Sequence, residues 1–272
     1  MHVRMEVEHF ANSSILCYLR SVKELCEFTG CLPDQLNEDQ IYTFLHHLKQ
    51  ERQLSRETIR NYLQGMRFMY RSVYKRIDII QDIPYPKQAK KLPAILSGRE
   101  LLKLFEAAPS IKHRVMLKLT YGGGLRRSEV INLKICDVDF KNNLLRIESG
   151  KGGKDRYTLL PKSLVAELIE YQQAYQPQKY LFNGRLRGSQ ISEQTIRWAF
   201  TKAIEKADIH KKVCVHSLRH SFASHLLAMG TDLVTIQKLM GHSDIRTTMV
   251  YLQLTHKNNL NQVISPLDRL QQ

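Results

Sequence analysis

The chain has 272 residues, of which 43% are hydrophobic and 25% are charged, the balance of a water-soluble globular protein. Its length exceeds the roughly 100–200 residues of one typical domain, so we predict two domains. No apolar run approaches the ~20 residues that a bilayer span requires, and the N-terminus MHVRMEVEHF has no signal-peptide core, so we expect a cytoplasmic protein without a membrane span.

The net charge of +15 favours a polyanionic partner, and nucleic acid is the usual one. This charge is unevenly distributed along the chain. Residues 1–82 contain eleven Lys or Arg and eleven Asp or Glu, residues 83–94 add three lysines, and residues 95–272 carry the remaining +12.

The five cysteines indicate neither a disulfide framework nor a zinc site. Their number is odd, no pair has the Cys-x-x-Cys spacing, and Cys26 and Cys31 have no second pair to complete four ligands. We therefore expect reduced structural cysteines and no bound metal.

The segment before residue 83 has the apolar spacing of helices. Hydrophobic residues recur every three or four positions from Ile15 to Phe28. Asn37 with Gln40 has the pattern of a capping box before a second helix, and a third helix begins near Ser55. Residues 1–82 are therefore predicted to form a helical domain.

The third of these helices carries a row of basic residues, which we call the basic row. Its members are Arg56, Arg60, Arg67, Arg71 and Lys75. Spacings of four, seven, four and four hold them near one helix face. A neutral domain with one basic face is suited to contact with the DNA backbone, whereas the alternative is an ordinary solvated face.

Three prolines and three lysines between residues 82 and 97 resist regular structure and predict a basic linker over residues 83–94. Ser97 and Glu100 then have the spacing of a capping box at the start of a second domain, residues 95–272. The predicted helices of this domain cover 98–107, 111–121, 127–133, 161–175, 193–206, 217–229 and 232–240.

Between residues 137 and 161 the sequence predicts three short strands, separated by turns at Asn142-Asn143 and at Gly150–Asp155. The predicted fold class is therefore α+β. An all-helical N-terminal domain precedes a mainly helical second domain that contains a small three-stranded antiparallel sheet.

The segment VHSLRHSFASHLLAMG, residues 215–230, places His216, Arg219 and His220 on one face of a predicted helix. An imidazole and a guanidinium near a helix N-terminus are suited to bind phosphate. The alternative is a zinc site formed by His216, His220 and His225. It is disfavoured because Ser217 stands where the HExxH zinc motif has glutamate.

Two glycine-containing segments also carry basic residues. In YGGGLRRSEV, residues 121–130, the glycines end one helix and place Arg126 or Arg127 at a turn from which it can reach a phosphate. In SGKGGKDRY, a turn between two strands contains Lys151 and Lys154, either of which suits a phosphate contact or a proton donor. Each segment alone has an ordinary alternative, a surface arginine pair or a solvated lysine turn.

In chain order, the motifs GLRRSE, GKGGK, HSLRH, and Gly-His followed nine residues later by Tyr resemble those of the tyrosine recombinase (phage integrase) family, over the whole chain. The resemblance implies a SAM-like core-binding domain followed by a catalytic domain. The catalytic positions that it implies are Arg126, Lys151, His216, Arg219, His242 and Tyr251. Lys154 is the alternative hairpin lysine, Glu129 would support the arginine loop, and His220 would be a neighbour of the site and not a catalyst.

The resemblance implies that Tyr251 attacks a DNA phosphodiester to form a 3′-phosphotyrosyl link. The two arginines and His242 would bind the non-bridging oxygens, His216 would act as the base, and Lys151 would protonate the leaving 5′ oxygen. Because the link retains the bond energy, a 5′ hydroxyl can rejoin the strand without ATP, metal or another cofactor.

The implied partner is double-stranded DNA bearing recombination sites, bound by a homotetramer, with an accessory protein or second recombinase as a further partner. The tail predicts a short helix at 258–264, which would dock on a neighbouring protomer or pack on its own subunit. The implied role is integration and excision of a mobile element, or chromosome dimer resolution. Two alternative functions are a type IB topoisomerase-like enzyme and a non-catalytic DNA-binding regulator.

Overall fold

A computed structural model describes residues 1–86, 92–148, 155–186 and 188–252. The chain divides into two compact units, Met1–Lys91 and Leu92–Gln272, each with its own hydrophobic core. Their boundary lies inside the segment 83–94 for which a linker was predicted. Across these described ranges, none of the helices combines the length and the apolar character needed to traverse a lipid bilayer.

All regular secondary structure in the described part of the first unit is helical. Its α-helices are α1 (His2–Val7), α2 (Asn12–Thr29), α3 (Glu38–Gln50) and α4 (Arg56–Phe68). Short 3₁₀ helices cover Pro33–Gln35 and Ile77–Ile79, and Met69–Tyr74 continues α4 as a π-helix. The capping box before α3 is present, since the Asn37 side chain accepts a hydrogen bond from the Gln40 amide and the Gln40 side chain accepts one from the Asn37 amide.

Helices α2 and α4 pack closely where α4 has a glycine. A methyl group on Gly65 would place its carbon 2.1 Å from Ser21 Oγ and 2.9 Å from the Cα of Tyr18. Near this contact, apolar side chains of α4 are buried, including Leu63 and Met66. The small residue therefore sets how near the two helix backbones approach.

The second unit is mainly helical and contains the small sheet. Its described α-helices are α5 (Gly98–Glu106), α6 (Ile111–Gly122), α7 (Arg127–Asn132), α8 (Val165–Tyr175), α9 (Glu193–Lys206), α10 (Val215–Ala228), α11 (Leu233–Met240) and α12 (Ile245–Met249). The predicted capping box at Ser97 and Glu100 is formed. The helix predicted over 161–175 starts later, because Lys162–Leu164 first makes a 3₁₀ turn.

The sheet has three antiparallel strands in the order β1-β2-β3. They are β1 (Val138–Asp139), β2 (Leu144–Ile147) and β3 (Arg156–Leu159). Val138 faces Leu145 across the first pair, and Ile147 faces Arg156 across the second. The predicted α+β class is thereby confirmed.

Two apolar clusters organise the second unit. The larger one surrounds α6 and includes buried side chains from α5, α8, α9 and α10. The smaller one joins Phe222 and Ala223 of α10 to Ile236 and Met240 of α11 and to Tyr251. The smaller cluster therefore brings the last described residues of the chain against the helix that contains the HSLRH motif.

We predict that Gly65→Ala lowers the free energy of unfolding by about 1–3 kcal/mol, because the new methyl group overlaps the backbone of α2. Gly98→Ala is the control, since no atom lies within 4 Å of the added carbon at the start of α5. It should change stability by less than about 1 kcal/mol. Urea unfolding followed by circular dichroism measures both variants, and equal losses would contradict the tight contact between α2 and α4.

Candidate active site

Three segments of the second unit converge on one buried carboxylate, that of Glu129, which is 8% exposed. Arg126, the residue before α7, donates to Glu129 from its backbone amide at 2.7 Å and from Nη1 at 2.6 Å. Arg156 at the start of β3 donates from Nη1 and Nη2 to the two carboxylate oxygens, at 2.7 and 2.9 Å. Arg219 of α10 places Nη1 3.8 Å from Oε2. We call these three side chains around Glu129 the arginine cluster.

The arginine cluster also binds three consecutive carbonyl oxygens at the C-terminal end of α11. The pairs are Arg156 Nε with Leu239 at 2.9 Å, Arg219 Nη2 with Met240, and Arg126 Nη2 with Gly241 at 2.8 Å. Gly241 has a φ of 59°, and a methyl group there would lie 2.5 Å from Cδ of Arg156. Glycine is suited to both constraints. The turn that precedes His242 is therefore fixed by the same side chains that surround Glu129.

Tyr251 and three histidines lie beside this cluster. The Tyr251 side chain is 2% exposed, and its hydroxyl oxygen lies 2.9 Å from Nδ1 of His220. The ring of His242 is inclined by 12° to that of Tyr251, with centroids 6.5 Å apart, and its Nδ1 lies 2.9 Å from Oγ1 of Thr248. His216 contacts His220 edge-on, with ring centroids 4.5 Å apart.

The histidines of this site are neutral at physiological pH. Burial, followed by the charges of Arg219 and Arg126, lowers the pKa of His242 to about 3. Burial, followed by His216 and Arg219, lowers the pKa of His220 to about 4. Burial and the neighbouring arginines also lower the pKa of His216. A neutral imidazole can accept a proton or donate one hydrogen bond, so each of these rings retains both capacities.

The phenol of Tyr251 is protonated in this environment. Burial raises its pKa to about 12, although the positive charges of Arg219 and Arg126 act in the opposite direction. Burial and the neighbouring Arg126 lower the pKa of Arg219 to about 9, with Glu129 opposing the shift. Arg219 therefore remains charged at neutral pH, and the positive charge of the site lies on its guanidinium groups.

Five of the six catalytic candidates lie in described parts of the chain, and the structure brings all five together. They are Arg126, His216, Arg219, His242 and Tyr251. Lys151 and its alternative Lys154 lie outside the described residues, as does the tail beyond residue 252. Of the two adjacent arginines, Arg126 faces Glu129, whereas Arg127 pairs with Glu193 of α9 at 2.6 Å.

Two features of the site were not predicted from the sequence. His220 lies at hydrogen-bonding distance from the Tyr251 hydroxyl, although it was expected to be only a neighbour. Arg156 has no distinguishing local pattern, since it is one arginine after a glycine-rich segment, and the sequence does not predict its role. The spacing of His220 four residues after His216 placed it on the correct helix face but could not reveal its partner.

The structure gives no support for zinc binding by the histidines of α10. Nδ1 of His225 lies 2.9 Å from the hydroxyl of Tyr121. In the described ranges, no three His, Cys, Asp or Glu side chains lie close enough together to hold a metal ion.

The basic row of the first unit does not follow one uniform helix face. It begins on α4, but the π-helix at Met69–Tyr74 changes the angular spacing of residues beyond Phe68. Arg60 and Arg67 lie over the ring of Tyr85, at 4.9 and 4.1 Å from its centroid, and Arg67 also donates to the carbonyl of Ile83. Arg60 and Arg67 are therefore held by the fold of the unit, whereas Arg56, Arg71 and Lys75 are exposed.

We predict that Glu129→Gln lowers the free energy of unfolding by about 3–5 kcal/mol at pH 7, because it leaves the arginine cluster without its counter-ion. Burial alone would raise the pKa of Glu129, but the hydrogen bonds and charges of Arg156, Arg126 and Arg219 outweigh it and lower the pKa. The carboxylate therefore stabilises the fold above the unfolded-state pKa of about 4.3, and this contribution is lost as the pH falls through the lower folded-state pKa.

Urea unfolding at several pH values tests this prediction. The difference between the native chain and Glu129→Gln should be largest at neutral pH and should shrink below about pH 4.3. Glu205→Gln serves as the control because Glu205 forms an exposed ion pair with Lys202, with side chains 56% and 52% exposed. A pH-independent difference for Glu129→Gln would contradict a charged carboxylate in the folded protein.

Both units of the chain are similar in sequence to known proteins. Residues 94–258 match the model of the phage integrase family, and residues 1–78 match that of the phage integrase N-terminal SAM-like domain. A protein of Sinorhizobium fredii named as an integrase/recombinase is 35% identical over 267 residues, which cover 98% of this chain and 86% of that protein. The tyrosine recombinase XerA of Thermococcus kodakarensis is 32% identical, with 92% of this chain and 88% of that protein covered.

A solved structure shows the same architecture. The crystal structure of the XerH site-specific recombinase bound to its difH substrate, a pre-cleavage complex, superposes with a TM-score of 0.64 at 25% identity, covering 84% of this chain and 70% of that one. Because both units match models of one family and the identity extends over nearly the whole chain, the protein belongs to the phage integrase family and is a tyrosine-type site-specific DNA recombinase.

Proposed function

We propose that the protein cleaves and rejoins DNA strands through a covalent 3′-phosphotyrosyl link to Tyr251. The observation that supports this proposal is the position of the Tyr251 phenol, packed on α10 beside the guanidinium groups of Arg126 and Arg219. Four sequence segments that are far apart in the chain contribute to this one site. A protein that only bound DNA would need the positive charge but not a buried tyrosine with histidine neighbours.

The proposed step is a transesterification at phosphorus. The Tyr251 oxygen forms a bond to the phosphorus, the bond from phosphorus to the 5′ oxygen breaks, and the 5′ oxygen leaves as a hydroxyl group after receiving one proton. Negative charge builds on the non-bridging oxygens in the transition state, where Arg126 and Arg219 neutralise it and His242 donates a hydrogen bond. Lys151 is the proposed donor of the proton to the leaving oxygen.

The phenol must lose its proton during the attack. His216 is the proposed base, and His220 now joins it, because its Nδ1 already lies 2.9 Å from the Tyr251 hydroxyl. Its low pKa reflects burial among positive charges, so a bound phosphate, which adds negative charge, raises the pKa of the nearby imidazoles. The proton of Tyr251 therefore passes towards this histidine pair only when DNA is bound.

The reaction also requires Tyr251 to change its surroundings. A side chain that is 2% exposed cannot contact a phosphate of a DNA duplex while it packs against Phe222 and Met240. Tyr251 follows α12, a helix of only five residues, and so short a helix is marginally stable by itself. We propose that DNA binding shifts the ring out of its packing against Phe222 and Met240 and presents its oxygen to the phosphate, while the oxygen stays within reach of the histidine pair.

The proposed partner is double-stranded DNA with specific recombination sites, as for the XerH relative whose structure was solved with its difH substrate. Residues 1–82 and the catalytic unit would both contact the duplex, joined by the basic linker at 83–94. We propose that a homotetramer performs the exchange, with an accessory protein or second recombinase as a further partner. Relatives named integrase and relatives named XerA match at similar identity, so the proposal covers both integration or excision of a mobile element and chromosome dimer resolution.

We predict that Tyr251→Phe abolishes the covalent adduct on a nicked suicide substrate, because the attacking oxygen is absent. Binding to the same DNA should persist within about threefold, since the tyrosine contributes no charge. Denaturing gel electrophoresis detects the adduct, and a mobility shift measures binding. An adduct of unchanged yield in Tyr251→Phe would refute the assignment. Supercoil relaxation without exchange between two sites would instead favour a topoisomerase-like activity.

We predict different defects for two parts of the basic row. Arg71→Gln and Lys75→Gln should each weaken DNA binding for all sequences and reduce the slope of log K against log salt by about 1. Arg67→Gln should chiefly lower thermal stability, because it removes the contacts with Tyr85 and Ile83. Lys23→Gln on α2 removes the same charge outside the row, and a salt slope reduced equally in Lys23→Gln would contradict a specific role for the row.

A further inference from the structure

Arg156 is the third member of the arginine cluster and has no counterpart among the catalytic positions assigned above. Its side chain is 9% exposed. Its Nη1 and Nη2 bind both oxygens of Glu129, and its Nε binds the carbonyl of Leu239. The Arg156 side chain thus connects β3 to α7 and to the end of α11.

We propose that Arg156 is a positioning residue for DNA cleavage, which acts through Glu129 and the end of α11 to set the orientation of Arg126, Arg219 and His242. The inference rests on the proposed function, since it concerns the same site. Arg156 does not serve as a phosphate ligand, because the contacts of its guanidinium are directed at protein oxygens and its side chain is buried.

The first argument concerns charge. The arginine cluster contains three positive charges around the single negative charge of Glu129, a net of two. By binding both carboxylate oxygens through Nη1 and Nη2, Arg156 limits the pull of Glu129 on the other two guanidinium groups. Without Arg156 the buried carboxylate would compete more strongly with the phosphate for Arg126 and Arg219, at a place where desolvation makes such interactions strong.

The second argument concerns geometry. The carbonyls of residues 239–241 each accept a hydrogen bond from one arginine of the cluster, and the next residue is His242. The Arg156 side chain is also enclosed by Gly241, where even a methyl carbon would lie 2.5 Å from Cδ and 3.0 Å from Nε. Losing Arg156 therefore removes one of three supports of this turn and leaves a gap beneath Gly241. Displacements of about 1 Å at a reacting centre can cost about 100-fold in rate.

The third argument distinguishes arginine from lysine. A lysine at position 156 keeps the positive charge but offers one ammonium group, which cannot bind two carboxylate oxygens and a carbonyl together in the directions that a guanidinium provides. Arg156→Lys therefore removes the guanidinium geometry and keeps the positive charge, whereas Arg156→Gln removes both the geometry and the charge.

The experiment measures single-turnover adduct formation on a nicked suicide substrate, together with the dissociation constant for uncleaved DNA. Arg156→Gln should slow adduct formation by about 100-fold, and Arg156→Lys by about 10-fold. Both should bind DNA within about threefold of the native protein, because Arg156 does not touch the phosphates. Arg114→Gln is the matched control: it breaks another arginine–glutamate pair of the same unit, with Glu167, and should keep the native rate within about threefold.

A double variant tests whether Arg156 acts through Glu129. In Arg156→Gln with Glu129→Gln, the carboxylate that competes for the other arginines is also absent. The combined loss in rate should therefore be smaller than the product of the two single losses, the signature of coupled residues. Losses that simply multiply would overturn the proposed route, because they would show that the two residues act independently.

The outcomes separate this inference from the proposed function. If the native protein forms no adduct, the proposed function fails. If it forms the adduct and Arg156→Gln or Arg156→Lys does so at the native rate, only the role of Arg156 is overturned. Equal losses of DNA binding and adduct formation would also overturn it, since they would indicate a general structural defect. If Arg156→Gln does not fold, the rate of Arg156→Lys decides.

Discussion

A buried carboxylate surrounded by guanidinium groups is the interaction on which the second unit depends. Removing Glu129 from water is costly, and the cost is offset only because several donors reach its two oxygens. These donors come from the start of α7 and from β3, with the Arg219 guanidinium of α10 close by. The same guanidinium groups bind the carbonyls at the end of α11, so one electrostatic cluster connects four elements and fixes the turn before His242.

The cluster also determines the chemistry that we propose. The guanidinium groups give the site a net positive charge, and its histidines are neutral. The negative charge of a bound phosphodiester would balance this positive charge. Without a bound phosphodiester, burial raises the pKa of Tyr251 to about 12 and lowers that of His220 to about 4, so the phenol keeps its proton. We propose that protonation states suited to attack arise only when DNA is bound.

In the first unit, basic residues that look equivalent in the sequence have different tertiary contacts. Arg60 and Arg67 share the stacking contact with Tyr85, and Arg67 additionally binds a main-chain carbonyl. Beyond Phe68 the π-helix alters the direction of later side chains. A basic row drawn with regular α-helical geometry thus mixes residues that stabilise the unit with residues that are exposed to solvent.

The sequence by itself determined most of the helices, the capping boxes at Asn37 and Ser97, the three-stranded sheet and the family, because periodicity, capping boxes and ordered motifs are local properties. The short helices α1 and α12 and the π-helix at Met69–Tyr74 were not predicted. Only the tertiary structure decided that Arg126 contacts Glu129 and the Gly241 carbonyl, that His220 contacts Tyr251, and that Arg156 completes the arginine cluster. These partners lie 27, 31, 83 and 115 residues apart. Which side chains meet across such distances depends on how the helices pack, and a local pattern contains no information about that packing.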